Sequence, residues 1–320
     1  MRRIFAFGLC LLLAPAAAIA QDWPQRPVRL VVPYAAGGGT DIVARVLAQK
    51  LGEKFGQSFI VENKPGASGM IGAQYVAKGP ADSQTFLVAS PAEVALNQNL
   101  FKNMTYDPAA DLAPITLLAW TPLVFAANPD LPAATPAELI KLARARAVNF
   151  STPGIGSSHH LAGEYFNLLE GTKLVHVPYR GAAPAVTDAV AGQVKLTISG
   201  MPPVVPFLKA GKLKAIAVTS KHRSPAFPDV PALAETPGLE SFDFTNWFGL
   251  LARAGTPQPV LDKLASACAE ILKDPKVRDV IEKQAAVPVG DTPAEFRAFM
   301  REESAKYAKI VKLTGVHLSD

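Results

Sequence analysis

Buried strands and amphipathic helices alternate along most of this chain, and that alternation restricts its fold more than any other feature. Residues 28–33 have the composition of a buried strand, residues 41–55 have the apolar spacing of an amphipathic helix, and residues 59–62 are again strand-like. Gly56 follows the helix, as is typical of helix C-termini. The same order recurs at residues 70–89. It predicts an α/β fold with a largely parallel sheet.

A second series of the same kind follows residue 122. Its strands are predicted at residues 123–127, 148–151, 174–177, 194–198 and 213–218, with helices between most of them. After residue 252 the chain is mostly helical, and C-terminal helices without partner strands usually pack on a sheet that already exists. We therefore predict two lobes with a ligand cleft between them. Lobe 1 comprises residues 21–121 plus 247–320, and lobe 2 comprises residues 122–246.

The first twenty residues have the pattern of an export signal. Arg2 and Arg3 precede an apolar run over residues 4–13, and small residues lead to Ala20. The run is shorter than the roughly 20 residues that a membrane-spanning helix needs, so an N-terminal anchor is the less favoured alternative. We predict a signal peptide over residues 1–20 that is cleaved. Its removal lowers the formal charge of the chain from +5 to +3.

The composition excludes several classes of protein. The 32 Lys and Arg residues form no run longer than a pair, so we expect no nucleic-acid binding. Cleavage leaves Cys268 as the sole thiol, and we expect it in the core rather than in a disulfide or a multi-cysteine zinc site. The adjacent His159 and His160 have no acidic or thiol partner nearby in the sequence, which makes a poor metal motif. We predict neither a metal nor a cofactor.

Two glycine-rich loops each join a strand to a helix. In residues 33–41, Gly37, Gly38 and Gly39 expose backbone N–H groups at a helix N-terminus, which suits a carboxylate or a phosphate. The loop lacks the G-x-G-x-x-G spacing of dinucleotide sites and the lysine of a P-loop. Residues 150–159 repeat the arrangement with glycines and hydroxyls. We predict that the two loops face each other and bind a small acid, with tight packing of the glycines as the alternative.

The order of these motifs resembles one protein family, the periplasmic solute-binding proteins of tripartite tricarboxylate transporters, also called Bug-type receptors. The resemblance covers essentially the whole mature chain. It rests on residues 23–27, 31–41, 61–69, 151–159, 176–181, 211–219, 247–249 and 255–257. It implies a two-lobed, type II-like periplasmic binding protein in the periplasm, monomeric and without enzymatic activity. It also implies delivery of the ligand to a large and a small membrane subunit.

The resemblance further implies which residues bind the ligand. The loops over residues 34–41 and 66–69 would hold one carboxylate, partly through backbone amides and ordered water, and residues 157–159 with 179–180 would form the other wall. The candidates are Tyr34, Ala36, Gly38, Gly39, Thr40, Asp41, Gly66, Ala67, Ser68, Gly69, Ser90, Gly154, Ser157, Ser158, His159, Tyr179, Arg180 and Ser199. Related receptors take up citrate, dicarboxylates, amino acids, aromatic acids or nicotinic compounds, so a small organic acid is the expected ligand.

The charge of the side chain matters at three of these positions. Arg180 either pairs with a ligand carboxylate in bidentate fashion or forms a structural salt bridge. The carboxylate of Asp41 complements the helix dipole and would repel an acid, so its backbone N–H is expected to matter more than its side chain. Ser199 stands where many relatives carry an aspartate, which favours a plain carboxylate or an aromatic acid over a ligand with an ammonium group.

Two other functions remain open from the sequence. A secreted hydrolase would draw its nucleophile, base and acid from Ser157 or Ser158, His159 or His176, and Asp188. Neither serine lies in a G-x-S-x-G elbow, which weakens that alternative. A sensor would present the same ligand to a membrane kinase. Turnover of ester or amide substrates would support the hydrolase, whereas stoichiometric binding would support a receptor.

Overall fold

The computed structural model describes residues 23–316, so the predicted signal peptide over residues 1–20 lies outside the described residues. In this part of the chain the strands are β1 (Val28–Val32), β2 (Phe59–Asn63), β3 (Thr85–Ala89), β4 (Leu112–Ala127), β5 (Val148–Thr152), β6 (Leu174–Pro178), β7 (Leu196–Gly200), β8 (Lys214–Val218), β9 (Thr245–Arg253) and β10 (Val287–Pro288). The helices are α1 (Gly39–Phe55), α2 (Met70–Ala77), α3 (Pro108–Asp111), α4 (Pro136–Ala145), α5 (Ser158–Glu170), α6 (Ala182–Val190), α7 (Met201–Lys209), α8 (Gln258–Lys273), α9 (Pro275–Glu282) and α10 (Pro293–Thr314). Near the cleft, a 3₁₀ turn covers Ala67–Gly69 and a π turn covers Ala92–Leu96. No helix within residues 23–316 is long and apolar enough to cross a membrane.

One sheet runs through the molecule in the order β2-β1-β3-β9-β4-β7-β5-β6, with β8 and β10 also paired to β4. Strand β1 pairs in parallel with β2 and β3, and strand β5 pairs in parallel with β6 and β7. Strands β4 and β9 run antiparallel to their neighbours. The predicted α/β class is confirmed, with parallel strands at both ends of the sheet and antiparallel strands in its middle.

Strand β4 lies in the middle of the sheet and connects its two parts. Its residues 112–122 pair with β9, and its residues 123–127 pair with β7 and β8. We call β1–β3, β9, β10 and residues 112–122 the first half, and we call β5–β8 with residues 123–127 the second half. The lobe boundaries given above, residues 21–121 plus 247–320 against residues 122–246, stay a prediction.

Prolines explain two elements that the sequence pattern did not predict. The pattern indicated only residues 123–127 of β4, because Pro114 and Pro122 lack the N–H that a ladder hydrogen bond requires. The pairing with β9 shifts register next to Pro114. Helix α7 was not predicted because it contains three prolines. Two of them, Pro202 and Pro203, lie in the first turn, where helical N–H groups have no partner in any case.

Helices cover both faces of the first half. Helices α1 and α8 pack together on one face, in a core that includes Leu47, Leu264 and Cys268. Burial raises the pKa of the Cys268 thiol to about 12, so this residue is a protonated core side chain, as predicted. Helix α10 packs against β4 and also contacts α5 of the second half. Its Phe296 ring lies directly over Gly249 of β9. Helix α10 therefore touches both halves.

Candidate functional site

Strand-to-helix loops from both halves meet at one edge of the sheet. The N-termini of α1 from the first half and of α5, α6 and α7 from the second half border a cavity of about 30 Å³, the inner cavity. The described residues that line it are Tyr34, Gly38, Gly39, Thr40, Ser90, Ala92, Pro153, Ser157, Ser158, His159, Ala182, Gly200, Pro203 and Asn246. None of these described residues is Lys or Arg. Because the first N–H groups of a helix have no carbonyl partner within it, the cavity presents backbone donors from both halves.

The loop before α1 is held in shape by Asp41. Its buried carboxylate accepts hydrogen bonds from the Gly37 N–H (2.9 Å), from Asn63 Nδ2 (2.9 Å) and from two nitrogens of Arg45 (2.9 and 3.0 Å). Burial opposes ionisation of Asp41, but these hydrogen bonds outweigh it and lower its pKa below the usual value. The carboxylate therefore orders its own loop, and Asp41 does not line the inner cavity.

Replacing Asp41 by alanine is expected to lower the free energy of unfolding by about 2 to 3 kcal/mol at pH 7, because buried donors lose a charged acceptor. Arg45→Ala removes two hydrogen bonds to Asp41, but the guanidinium that donates them is half-exposed, so this change is expected to cost less. Since the folded-state pKa of Asp41 is lowered, its contribution is present above about pH 4 and is lost as the pH falls further. Urea unfolding at pH 7 and pH 3 measures both effects, and an equal loss at the two pH values would contradict this role.

The second wall begins at Ser157, which caps α5. Its hydroxyl donates to the Gly154 carbonyl (2.8 Å) and accepts from the His160 N–H (3.2 Å). His160 Nδ1 accepts in turn from the Gly156 N–H (3.2 Å). The neighbouring His159 is buried, and burial lowers its pKa to about 3. A neutral imidazole therefore borders the inner cavity at pH 7, and this wall acts through dipoles and hydrogen bonds rather than through charge.

The residues of the hydrolase alternative are not arranged as a catalytic triad. Asp188 accepts a hydrogen bond from the Tyr179 hydroxyl (2.6 Å). His176 Nε2 forms a hydrogen bond with the Thr152 hydroxyl (2.6 Å). Ser158 Oγ lies 3.5 Å from His159 Nδ1, at the limit of hydrogen-bonding distance. Only burial shifts the pKa of His159, and no carboxylate of the described residues contributes to it. These groups lack the aligned nucleophile, base and orienting acid of a triad.

A second pocket of about 300 Å³, the outer pocket, adjoins the inner cavity. Its described lining residues are Tyr34, Gly66, Ala67, Ser68, Gly69, Pro153, Gly154, Ile155, Pro178, Tyr179 and Arg180, of which Tyr34 and Pro153 also line the inner cavity. The two halves touch here. The Ala35 N–H donates to the Arg180 carbonyl (3.4 Å), and the Ser68 hydroxyl donates to the Ile155 carbonyl. These hydrogen bonds connect the loops of the two halves directly.

The residues predicted to bind ligand fall into three groups. Eight line the inner cavity: Tyr34, Gly38, Gly39, Thr40, Ser90, Ser157, Ser158 and His159. Seven others line the outer pocket: Gly66, Ala67, Ser68, Gly69, Gly154, Tyr179 and Arg180. Three line neither: Ala36, Asp41 and Ser199. The structure thus brings most of the set together, while contact with a ligand stays a prediction for every member.

Six residues of the inner cavity were not among the predicted ones: Ala92, Pro153, Ala182, Gly200, Pro203 and Asn246. Five of them are small or apolar and carry no local signal of binding. Asn246 does carry one, because it is a polar residue directly before the apolar run at residues 247–252 of β9. Its side chain is buried, and within residues 23–316 its Oδ1 has no hydrogen-bond partner.

Comparisons with known proteins identify the family and the fold of this chain. A family model described as "Tripartite tricarboxylate transporter family receptor" (TctC) matches residues 43–316. Protein BugT from Bordetella pertussis is 36% identical over 324 residues, which cover 99% of this chain and 99% of that protein. The solved structure of an R. palustris protein with adipate is 36% identical, with a TM-score of 0.89 over 92% of this chain and 98% of that chain. MatC from Rhodopseudomonas palustris, solved with bound malate, is 31% identical, with a TM-score of 0.85 over 90% of this chain and 100% of that chain. These matches confirm the two-lobed α/β fold.

Proposed function

The chain belongs to the tripartite tricarboxylate transporter receptor family, and we propose that it binds a small organic acid by closure of its two halves and delivers it to the membrane subunits of such a transporter. The observation that carries the proposal is the inner cavity, where helix N-termini from both halves converge and the described lining contains no Lys or Arg. We place the receptor in the periplasm as a monomer, with one large and one small membrane subunit as partners.

Backbone amides have to supply much of the affinity in such a cavity. A helix N-terminus contributes about 0.3 to 1 kcal/mol when exposed and up to about 2 kcal/mol when partly buried. A micromolar Kd corresponds to about 8 kcal/mol. The remainder has to come from charge-assisted hydrogen bonds, donated by the N–H groups of Gly39 and Thr40 in one half and of Ser158 and His159 in the other. Closure strengthens these bonds because it removes competing water.

Two solved relatives support a dicarboxylate as ligand. Adipate and malate, which the two solved relatives hold, each carry two carboxylate groups. An inner cavity of about 30 Å³ has room for only a few heavy atoms. We therefore propose that one carboxylate occupies the inner cavity and that the other end extends into the outer pocket beside Tyr179 and Arg180.

Calorimetry and thermal shift with the chain from residue 21 onward test this function. Adipate and malate are the probes, and 6-aminohexanoate is the matched control because it replaces one carboxylate of adipate with an ammonium group. A dicarboxylate at about 100 times its Kd is expected to stabilise the fold by about 2.7 kcal/mol, with one ligand bound per chain and no turnover. Failure of every small carboxylate to bind, or tighter binding of the amino acid than of adipate, would contradict the proposal.

A further inference from the structure

A fully buried carboxylate lies directly behind the inner cavity. Glu93, on the π turn Ala92–Leu96 after β3, is 0% exposed. Its Oε2 accepts hydrogen bonds from the Ser90 N–H (2.7 Å) and the Ser90 hydroxyl (3.0 Å). Its Oε1 is buried without a hydrogen-bond partner within residues 23–316. Gly69 covers that oxygen so closely that a Cβ at this position would lie 2.0 Å from it. Glu93 is therefore shielded from solvent.

The ionised form of Glu93 dictates where two hydroxyl protons point. An ionised carboxylate can only accept, so the Ser90 hydroxyl donates its single proton to Oε2. In the 3.2 Å contact between Tyr34 Oη and Ser90 Oγ, Tyr34 must then be the donor. Both residues line the inner cavity. With Glu93 ionised, their hydroxyl protons turn away from the cavity, and they present lone pairs to an entering carboxylate.

We propose that Glu93 is a positioning residue that takes up one proton when the receptor binds a carboxylate ligand. This inference rests on the proposed function. The proton comes from solvent or buffer and adds to the Glu93 carboxylate, which becomes neutral. The Ser90 and Tyr34 hydroxyls are then free to rotate and to donate to the ligand carboxylate, and no bond of the ligand is made or broken. The anionic ligand and the proton thus enter together, and the buried charge is neutralised.

The surroundings of Glu93 make this proton exchange accessible near neutral pH. Burial raises the pKa of Glu93 to about 7, against the opposing hydrogen bonds that its carboxylate accepts from Ser90. Two tyrosines face it, and burial raises the pKa of both Tyr34 and Tyr106, so they stay neutral. Of the charged groups on the other elements packed against this turn, Asp111 pairs with Lys78 and Glu303 pairs with Lys306. Arg297 and Arg301 of α10 line a groove beside Val94 and Gln98. No cation of the described residues pairs with Glu93.

Calorimetric titration with adipate in buffers of different ionisation enthalpy measures the proton directly. At pH 8, uptake is expected to approach one proton per adipate, and at pH 6 it is expected to fall towards zero because Glu93 is already protonated. The Kd is expected to rise by at most about 25-fold between pH 6.5 and pH 8.5. Glu93→Gln, which is neutral at every pH, is expected to remove both the uptake and the pH dependence.

The control is Glu170→Gln, which changes another buried glutamate, paired with Arg144 in the second half, and should leave proton uptake intact. If adipate binds without proton uptake at pH 8, the inference is overturned while the proposed function stands. If no small carboxylate binds at any pH, the proposed function itself fails. Should Glu93→Gln not fold, the absence of proton uptake by the unaltered receptor at pH 8 would still overturn the inference.

Discussion

Gly38→Leu is expected to abolish carboxylate binding while leaving the protein folded. Gly38 has φ −78° and ψ 168°, an extended conformation that any residue adopts. A Cβ there would lie 3.7 Å from the Ala35 carbonyl oxygen and 3.8 Å from the Ala182 Cβ of the second half, which is ordinary contact. The remaining atoms of a leucine side chain would occupy the inner cavity or press against Ala182. It therefore fills the site and prevents closure without straining the backbone.

We expect this variant to lose at least 100-fold in affinity for adipate, about 2.7 kcal/mol of binding free energy. Loss of a favourable N-cap residue costs about 1 kcal/mol of stability, so the ligand-free protein should still melt cooperatively. Gly38→Ala is the matched control, because its single methyl group fits and binding should persist. Calorimetric titration of both variants with adipate measures the difference in their affinities. Retained binding by Gly38→Leu would mean that the ligand does not lie between these two helix N-termini.

Gly249→Ala is expected to destabilise the protein strongly, although the backbone geometry of Gly249 is one that any residue adopts. Gly249 lies on β9, and a Cβ there would be 2.1 Å from Cζ of Phe296 and 2.8 Å from Cε1. The Phe296 ring is fully buried in the core, so it cannot swing into solvent. Overpacking of this kind typically costs about 1 to 3 kcal/mol, and a clash this short is expected at or above the upper end of that range.

A double-mutant cycle with Phe296→Leu tests the cause of that loss. Phe296→Leu alone is expected to destabilise the protein by leaving a cavity, but in the Gly249→Ala background the smaller side chain relieves the clash. The double variant should therefore be more stable than the sum of the single losses predicts. Denaturant unfolding of the four proteins gives the coupling energy. Strict additivity would show that the contact between Gly249 and Phe296 is not what limits the substitution.

The strand-to-helix loops were predictable from the sequence because their signals are local. A buried strand, a glycine cluster and a helix start lie within about ten residues at 33–41 and again at 150–159, and both loops border the inner cavity. Ser90 was identified only through the family resemblance. Glu93 was not identified at all, because its burial depends on Gly69, which covers its Oε1, and its link to the cavity runs through the contact between Ser90 and Tyr34; Gly69 and Tyr34 lie far from it in the sequence.

The middle of the sheet was the least predictable part of the fold. Prolines interrupt the pattern of β4, and a strand that changes partners midway leaves no periodicity of its own. Ala182 and Gly200 line the inner cavity but were not predicted to do so. Small residues carry no local signal of such a position, because it depends on which residues the chain places opposite them. Long-range packing, rather than local propensity, decided these positions.

The strand shared by both halves also governs how such a receptor can acquire a new ligand. Each part of β4 pairs only with strands of its own half, so an exchanged half would have to continue the same strand across residues 122–123 and to restore the contact between α10 and α5. Exchange of whole halves between related receptors is therefore a poor route to altered specificity. Substitutions in the short loops at the cleft avoid that requirement, because they leave the ladder hydrogen bonds of the shared strand in place.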